Sequence, residues 1–295
     1  MGIPIITLAS GQKIPQVGFG IGVLGKKAYD PAMTEKIKLA LKNGWRHFDA
    51  AEAYGTDPEL ADALAAFPDI PRSELYITSK VHTSKGIQNK DIESSLRKIL
   101  AETKLDYVDL FLIHNPFFPE NSLTLEEAWR QMEAVKEKGL TKEIGISNFR
   151  PVDIEKVWKI AKVKPVVNQI ELHPYLLAAE QDTVDLCKKY NIQIASYSPL
   201  VPIGRHGKGP VNALSEELAK KYGVTSGQIL LRWQIQHGFV AITSTADDAR
   251  QKAQSDLQGF ELSAEDVKKI DEAGATYYHR FFGWGAFKTE YHSVL

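Results

Sequence analysis

The chain has 295 residues, of which 43% are hydrophobic and 25% are charged, and its formal net charge is -1. This length suits one α/β barrel or two smaller domains, and the composition is typical of a globular protein. The near-neutral charge gives no reason to expect binding to nucleic acid or to a membrane surface. Cys187 is the only cysteine, so no internal disulfide can form. The start lacks a signal-peptide pattern and no window is long and apolar enough to span a bilayer, so we expect a cytosolic protein.

Short strand patterns alternate with helical patterns along the chain. A hairpin is predicted first, from IPIITL and KIPQVGFG around the turn SGQ. After VGFG, further strands are predicted over 46–51, 75–81, 108–114, 143–149, 166–172, 193–200 and 239–245. Helices are predicted near 34–42, 58–66, 92–100, 125–138, 152–161, 180–190, 212–222, 226–236, 247–255 and 264–273.

These patterns amount to about eight strand-plus-helix units. Alternation of this kind predicts a parallel sheet, and runs such as VDLFLI lack the period-2 alternation of a strand with one exposed face. Eight units in this length match a (β/α)8 TIM barrel. No linker interrupts residues 1–295, so we expect a single α/β barrel domain, with the hairpin before it and an aromatic C-terminal loop over the substrate pocket. A doubly wound sheet with a second domain is the competing interpretation.

The stretch GIGVLG, from Gly20 to Gly25, fits the G-x-G-x-x-G spacing of a Rossmann turn, and Asp49 follows where an acid would bind a ribose. In a Rossmann turn the last glycine opens a helix. Here Pro31 prevents a helix from running through from Gly25, and the helix is predicted to begin near Pro31 or Thr34. The motif is therefore interpreted as a loop after the first barrel strand.

Polar residues end nearly every predicted strand. In a barrel, residues at the carboxyl ends of the strands meet at one rim, where catalytic groups lie. One such residue alone is ordinarily a helix cap or a structural hydrogen-bonding group, but a whole set at one rim suggests a site. The set comprises Asp49, Lys80, His114, Ser147, Asn148, Gln169, Tyr197, Ser244 and Thr245.

Four residues in this region form a chemically coherent group. Tyr54 can give a proton to a carbonyl oxygen, and a nearby ammonium, Lys80, is expected to lower the pKa of the phenol. The carboxylate of Asp49 would keep Lys80 charged, and a neutral His114 would orient the carbonyl. Such a group assists reduction of a carbonyl, with hydride supplied by a cofactor.

The chain resembles the aldo-keto reductases in six motifs that occur in order: FDAAEAYG, ITSK, LFLIHNP, GISNF, NQIELHPY and SYSPL. The resemblance covers essentially the whole chain. It implies a barrel that binds its dinucleotide at the mouth without a Rossmann unit. It also implies that Asp49, Tyr54, Lys80 and His114 are the catalytic tetrad, with Tyr54 as the acid.

The resemblance further implies a nicotinamide cofactor. Ser147, Asn148 and Gln169 would hold the carboxamide, Tyr197 would stack on the nicotinamide ring, and Ser198 and Leu200 would lie along the pyrophosphate. The stretch ITSTADDARQKAQ would bind the adenosine end through Ser244, Thr245, Arg250 and Gln254. Ser244 stands where the family usually has lysine and Gln254 where it usually has asparagine. NADPH is expected over NADH, although the lysine ammonium that the family usually has at the position of Ser244 is missing.

The substrate pocket departs from the family pattern. Many relatives have tryptophan near the positions of Gly22 and His82, but these positions are small or polar here. Asn115 directly follows His114, the tetrad histidine. With Phe117 and Trp284 as apolar walls, these residues suggest a carbonyl substrate with several polar oxygens. The pattern resembles fungal aldo-keto reductases that reduce conjugated polyketones and ketopantoyl lactone.

Two other functions stay open from the sequence. Some barrels of this family are channel-associated subunits that hold nucleotide and turn over slowly, which would make this chain a redox-sensing partner. A phosphate-binding lyase or isomerase would do carbonyl chemistry without nicotinamide. No spacing resembles a metal site, Cys187 is expected in the core, and a monomer is expected.

Overall fold

The computed structural model describes residues 2–22, 28–204 and 207–282. Within these ranges a two-stranded antiparallel hairpin precedes a closed barrel of eight parallel strands. The hairpin strands are β1 (Ile5–Thr7) and β2 (Lys13–Pro15), and the barrel strands are β3 (Val17–Gly20), β4 (His47–Asp49), β5 (Tyr76–Val81), β6 (Val108–Ile113), β7 (Thr141–Ser147), β8 (Val167–Glu171), β9 (Gln193–Tyr197) and β10 (Val240–Thr243). The barrel closes where β10 pairs with β3, with Ala241 opposite Val17. The predicted barrel is confirmed, and the doubly wound alternative is wrong.

Helices surround the barrel and follow its strands. They are α1 (Pro31–Lys42), α2 (Asp57–Ala65), α3 (Ile92–Thr103), α4 (Leu125–Glu137), α5 (Pro151–Ile160), α6 (Pro174–Leu177), α7 (Gln181–Lys189), α8 (Pro210–Tyr222), α9 (Ser226–Gln236), α10 (Asp248–Ser255) and α11 (Ala264–Ala275). The sequence pattern did not predict three short elements: α6, a 3₁₀ turn at Arg72–Glu74 and a π-helical turn at Thr83–Ile87. Each is shorter than two α-helical turns, too short to show a hydrophobic period.

Capping residues determine where three of the helices begin. Thr124 and Thr225 each form a capping box, with Glu127 and Gln228 three residues later. The side chain of Asp30 accepts a hydrogen bond from the backbone of Ala32, and Pro31 is the first residue of α1. The helix therefore begins at Pro31 as predicted and does not continue from the glycine motif.

Apolar side chains of the described residues form three buried clusters, one of which lies among α8, α9 and α11. Inside the barrel, Leu110, Leu112, Val167 and other inward-facing apolar side chains pack together, and the hairpin adds Leu8 and Ile14 to the same cluster. A second, larger cluster lies between the strands and the helices. Cys187 is fully buried in that cluster, as expected. Because side chains fill the interior, the open end for ligands is the rim at the carboxyl ends of the strands.

None of the helices within the described ranges is long and apolar enough to cross a bilayer.

Candidate active site

A buried ion pair lies at the barrel rim. Nζ of Lys80, on β5, donates to Oδ1 of Asp49 at 2.6 Å and to the backbone oxygen of Ala50 at 2.9 Å. Neither charged side chain is more than 4% exposed. Burial lowers the pKa of Lys80, but the charge of Asp49 and the phenol of Tyr54 outweigh this effect and raise the pKa above 10.5. Lys80 is therefore a charged, fixed ammonium at neutral pH.

Tyr54 lies on the loop after β4, beside this ammonium. Its ring centroid is 5.2 Å from Nζ of Lys80. Burial has the largest effect on the pKa of Tyr54 and raises it above 10.0. The effect of Lys80 is smaller, although it lowers this pKa as expected. Tyr54 is therefore a protonated phenol at neutral pH.

His114 completes the group immediately after β6. Its ring meets the Tyr54 ring edge to face, with centroids 5.7 Å apart. Burial lowers the pKa of His114 well below 6.5, and the charge of Lys80 adds to this shift. The imidazole is therefore neutral, as the sequence-based hypothesis required. All four predicted tetrad residues lie together.

A hydrogen-bond network joins this group to three of the predicted cofactor residues. Nε2 of Gln169 donates to Oδ2 of Asp49 at 2.7 Å. Nδ2 of Asn148 donates to the backbone oxygen of His114 at 3.0 Å, and the hydroxyl of Tyr197 donates to Oδ1 of Asn148 at 2.8 Å. Asn148 has φ 60°, in the left-handed region, which asparagine tolerates better than most residues. The network holds these polar side chains at the rim.

Ser147 also lies in the network. Its hydroxyl donates to the backbone oxygen of Gln169 at 2.8 Å and accepts a 3.1 Å hydrogen bond from Nδ2 of Asn148. The next predicted positions follow β9: Ser198 has φ 58°, and Leu200 is partly buried against the core. Ser147 thus ends β7, while Ser198 and Leu200 follow β9, two strands further round the barrel.

The predicted adenosine-binding residues separate into an exposed group and a buried one. Oγ of Ser244 donates to the backbone oxygen of Gly20 at 2.6 Å, and Thr245 accepts from the backbone of Asp247 at 3.2 Å. The side chain of Arg250 is 70% exposed, with Nε 3.7 Å from Oδ1 of Asp247. Gln254, in contrast, is buried, 3.4 Å from the hydroxyl of Thr243.

Of the predicted substrate residues, His82 and Asn115 lie beside His114. The His82 ring meets the His114 ring edge to face at 6.0 Å, and Nδ1 of His82 accepts from the backbone of Ser84 at the start of the π-helical turn. Oδ1 of Asn115 accepts from the backbone of Phe117 at 2.9 Å, so this oxygen belongs to a local turn. The guanidinium of Arg150 lies 5.4 Å from the Phe117 ring centroid. Trp284 lies outside the described residues.

Gly22 leaves space for the ring of Tyr54. A Cβ atom at this position would lie 3.1 Å from two atoms of the Tyr54 ring. Any larger side chain at residue 22 would therefore press on the ring. Of the glycine motif, Gly20 and Gly22 lie at the barrel rim, while Gly25 lies outside the described residues.

Sequence reasoning missed three charged residues near the rim. Glu171 and Glu180 are buried, and the side chain of Arg280, which is 6% exposed, pairs with that of Glu180. Glu171 accepts hydrogen bonds from the backbone of Phe281 and Phe282. The available signal was an ionisable residue inside the apolar run VVNQIEL, because an acid in a buried strand needs a partner.

The described residues hold no group of three or more metal-ligating side chains suited to a metal ion. The buried Cys187 has its pKa raised to about 12 by burial, so its thiol is not a nucleophile at neutral pH. The reactive groups of the rim are thus a protonated phenol, a charged ammonium and a neutral imidazole. This set donates protons and hydrogen bonds to an oxygen atom. It defines the class of the site: a group of hydrogen-bond donors at the barrel mouth whose chemistry suits a carbonyl oxygen.

Comparison with known proteins agrees with this class. Residues 16–275 match the family described as "Aldo/keto reductase family". The chain is 36% identical to the NAD/NADP-dependent indole-3-acetaldehyde reductase of Schizosaccharomyces pombe, over 94% of this chain and 98% of that one. It is 34% identical to human aldo-keto reductase family 1 member A1, over 92% and 89% of the two chains.

Solved structures of aldo-keto reductases have the same fold as this chain. An aldo/keto reductase from Brucella melitensis aligns with a TM-score of 0.82 at 31% identity, covering 92% of this chain and 99% of the other. A Bombyx mori aldo-keto reductase in complex with NADP aligns with a TM-score of 0.84 at 28% identity, covering 98% of each chain. The chain therefore belongs to the aldo-keto reductase family and is an oxidoreductase, as its six motifs predicted.

Proposed function

We propose that this protein reduces an aldehyde or ketone to the alcohol with NADPH, and that Tyr54 is the general acid. The observation that carries the proposal is the position of the Tyr54 ring beside both Lys80 and His114. The directions of the three pKa shifts support it, because they favour a protonated phenol, a charged ammonium and a neutral imidazole. Relatives named as NAD/NADP-dependent or in complex with NADP support the cofactor.

The rim residues fit a nicotinamide dinucleotide by their chemistry. The hydroxyl of Ser147 and the amides of Asn148 and Gln169 are complementary to a carboxamide, and the partly exposed Tyr197 ring offers an aromatic surface for a pyridine ring. Near α10 the exposed Arg250, with the hydroxyls of Ser244 and Thr245, offers donors suited to a phosphate. Bound NADPH would supply the hydride for the carbonyl carbon.

The protein side of the reaction is proton delivery. Tyr54 gives its proton to the carbonyl oxygen as negative charge develops there, and Lys80 stabilises the phenolate that remains. Asp49 keeps Lys80 charged and in place. The neutral His114 orients the carbonyl by a hydrogen bond and, without a charge of its own, does not repel the ammonium.

Asp247 lies close to Arg250 and affects the choice of cofactor. Its carboxylate caps α10 and lies 3.7 Å from the guanidinium, so Arg250 is partly neutralised before any phosphate binds. With serine at residue 244, the proposed preference for NADPH rests mainly on Arg250. We therefore propose NADPH as the preferred cofactor and NADH as a weaker one.

The proposed substrate class is a carbonyl compound with further polar oxygens, such as a conjugated polyketone or ketopantoyl lactone. His82 and Asn115 place polar groups near His114, and Gly22 adds no side chain beside Tyr54. A panel of simple aldehydes, dicarbonyls and keto-lactones, assayed with NADPH and NADH in parallel, tests this class. Slow turnover of every compound, with tight nucleotide binding, would favour a redox-sensing subunit instead.

The test of Tyr54 is the variant Tyr54→Phe. We expect reduction to fall about 100-fold or more, because a general acid contributes about 10²–10⁴ in rate, while NADPH affinity changes little. Tyr76→Phe is the matched control: it removes the hydroxyl of a buried tyrosine on β5, outside the site, and should retain most of the reduction. Equal losses of rate and cofactor affinity in Tyr54→Phe would refute its role as the acid. Monomeric state and cytosolic location stay predictions.

A further inference from the structure

A buried carboxylate holds the segment Tyr277–Phe282 against the barrel rim. Glu171, the last residue of β8, is fully buried. Its Oε1 accepts from the backbone of Phe281 at 2.6 Å, and its Oε2 accepts from the backbone of Phe282 at 2.8 Å. Nε2 of His173 lies 3.3 Å from Oε1. Both carboxylate oxygens are therefore engaged, and each backbone bond goes to a different oxygen.

A second contact fixes the same segment. The side chain of Arg280 pairs with that of Glu180, and both are almost completely buried. Thr183 donates to the other oxygen of Glu180 at 3.0 Å. The ring of Tyr277 packs edge to face on that of Tyr175, with centroids 4.9 Å apart. The segment is thus held at three points, of which Glu171 is nearest to the site.

Because Glu171 binds the backbone of Phe282, it helps to fix the position of the Phe282 ring. This ring meets the Tyr197 ring edge to face, with centroids 5.7 Å apart. The hydroxyl of Tyr197 in turn bonds to Asn148. A continuous set of contacts therefore runs from the buried carboxylate through Phe282 to the aromatic surface proposed for the nicotinamide ring.

We propose that Glu171 is a positioning residue for cofactor binding: it places Phe282 so that Phe282 holds the Tyr197 ring in the orientation that receives nicotinamide. The proposal rests on the proposed function of Tyr197. Glu171 itself touches neither cofactor nor substrate. Burial raises the pKa of Glu171, but His173 and the two backbone donors more than offset this and leave the pKa below 4.5, which suits a carboxylate that must accept three hydrogen bonds.

The decisive variants are Glu171→Gln and Phe282→Ala. Glutamine keeps the size of the side chain but replaces one acceptor oxygen with an NH₂ group, so one backbone donor loses its partner. Phe282→Ala removes the ring and leaves the carboxylate intact. The matched control is Glu143→Gln, because Glu143 is another buried acid on a barrel strand, paired with Lys136 at 2.5 Å.

Two measurements follow: the Kd for NADPH by fluorescence titration, and hydrogen exchange at the amides of Phe281 and Phe282. We expect Glu171→Gln to raise the Kd at least fivefold and to speed exchange at these amides. Phe282→Ala should raise the Kd similarly while the Phe281 amide stays protected. Glu143→Gln should leave the Kd within twofold of wild type. In steady state, KM for NADPH should rise more than kcat falls.

The outcomes separate this proposal from the proposed function. A Kd within twofold of wild type in Phe282→Ala overturns the positioning role, even if Glu171→Gln fails to fold. The same holds if Glu171→Gln lowers the melting temperature but leaves the Kd unchanged, as expected for a purely structural acid. A wild-type protein that does not bind NADPH would refute the proposed function, and the positioning role with it.

Discussion

Gln169 donates a hydrogen bond from Nε2 to Oδ2 of Asp49 at 2.7 Å, while Lys80 donates to Oδ1 of the same carboxylate. The proposed cofactor residues and the proposed catalytic residues are therefore parts of one buried network. The carboxylate that fixes the ammonium beside Tyr54 depends on an amide that the family resemblance assigns to the nicotinamide carboxamide.

Replacing Gln169 should affect catalysis as well as cofactor binding. In Gln169→Leu, Oδ2 of Asp49 loses its donor, and an unsatisfied buried charge costs about 1–3 kcal/mol or more. We expect a higher Kd for NADPH and a fall in kcat of about tenfold, measured in steady state at saturating cofactor. Asn168→Leu is the matched control, since this buried amide bonds instead to Phe149. If both variants lost stability equally and kept kcat, Gln169 would have no role beyond the fold.

The pH dependence of reduction follows from the three pKa shifts at the rim. The pKa of Tyr54 is raised above 10.0, that of Lys80 above 10.5, and that of His114 is well below 6.5. All three groups keep their protonation states through neutral pH. We expect kcat/KM for reduction to be flat from roughly pH 6.5 to 9.5.

The contributions of His82 and His114 to this pH profile must be distinguished, because burial lowers the pKa of His82 as well. Profiles of His82→Gln and His114→Gln provide the separation. A titration near pH 7 that disappears only in His114→Gln would contradict a neutral tetrad histidine.

Stability should depend on pH through His47, which lies inside the barrel away from the rim. Burial lowers its pKa to about 4, against 6.5 for an exposed histidine, while its ring nitrogens contact Thr78 at 3.1 Å and Pro15 at 3.3 Å. The folded-state pKa is the lower one, so the unfolded chain binds the proton first. The contribution of His47 is complete above pH 6.5 and is lost as pH falls toward 4.

This linkage predicts a loss of about 2 kcal/mol of unfolding free energy between pH 8 and pH 5. Urea unfolding at both pH values, on wild type and His47→Gln, measures it. The variant should lack this part of the pH dependence, whatever its stability at pH 8. Identical slopes in the two proteins would rule out a buried neutral imidazole at this position.

Cofactor choice should depend on one exposed arginine. Arg250→Ala should weaken NADPH binding about tenfold and leave NADH binding nearly unchanged, because only NADPH carries the 2′-phosphate. Ser244→Lys should have the opposite effect on NADPH and strengthen its binding. The Kd values for both cofactors, at low and high salt, measure these changes. A parallel loss of NADH affinity in Arg250→Ala would show that the arginine binds something other than the 2′-phosphate.

The sequence by itself determined the architecture, and it predicted the four residues that the structure brings together at the rim. Strand and helix periods depend on local residue order, and the six ordered motifs contain the four residues that we propose to be catalytic, so both could be predicted without coordinates. The short elements α6 and Thr83–Ile87 were not readable, because they repeat no period.

Only the tertiary structure decided which side chains pair and which effect dominates each pKa. The pKa of Tyr54 is raised because burial outweighs the charge of Lys80, and burial depends on packing between distant segments. The same is true of Glu171, whose partners at 281 and 282 lie more than a hundred residues away. Such contacts result from closure of the barrel, which brings residues together regardless of their separation along the chain.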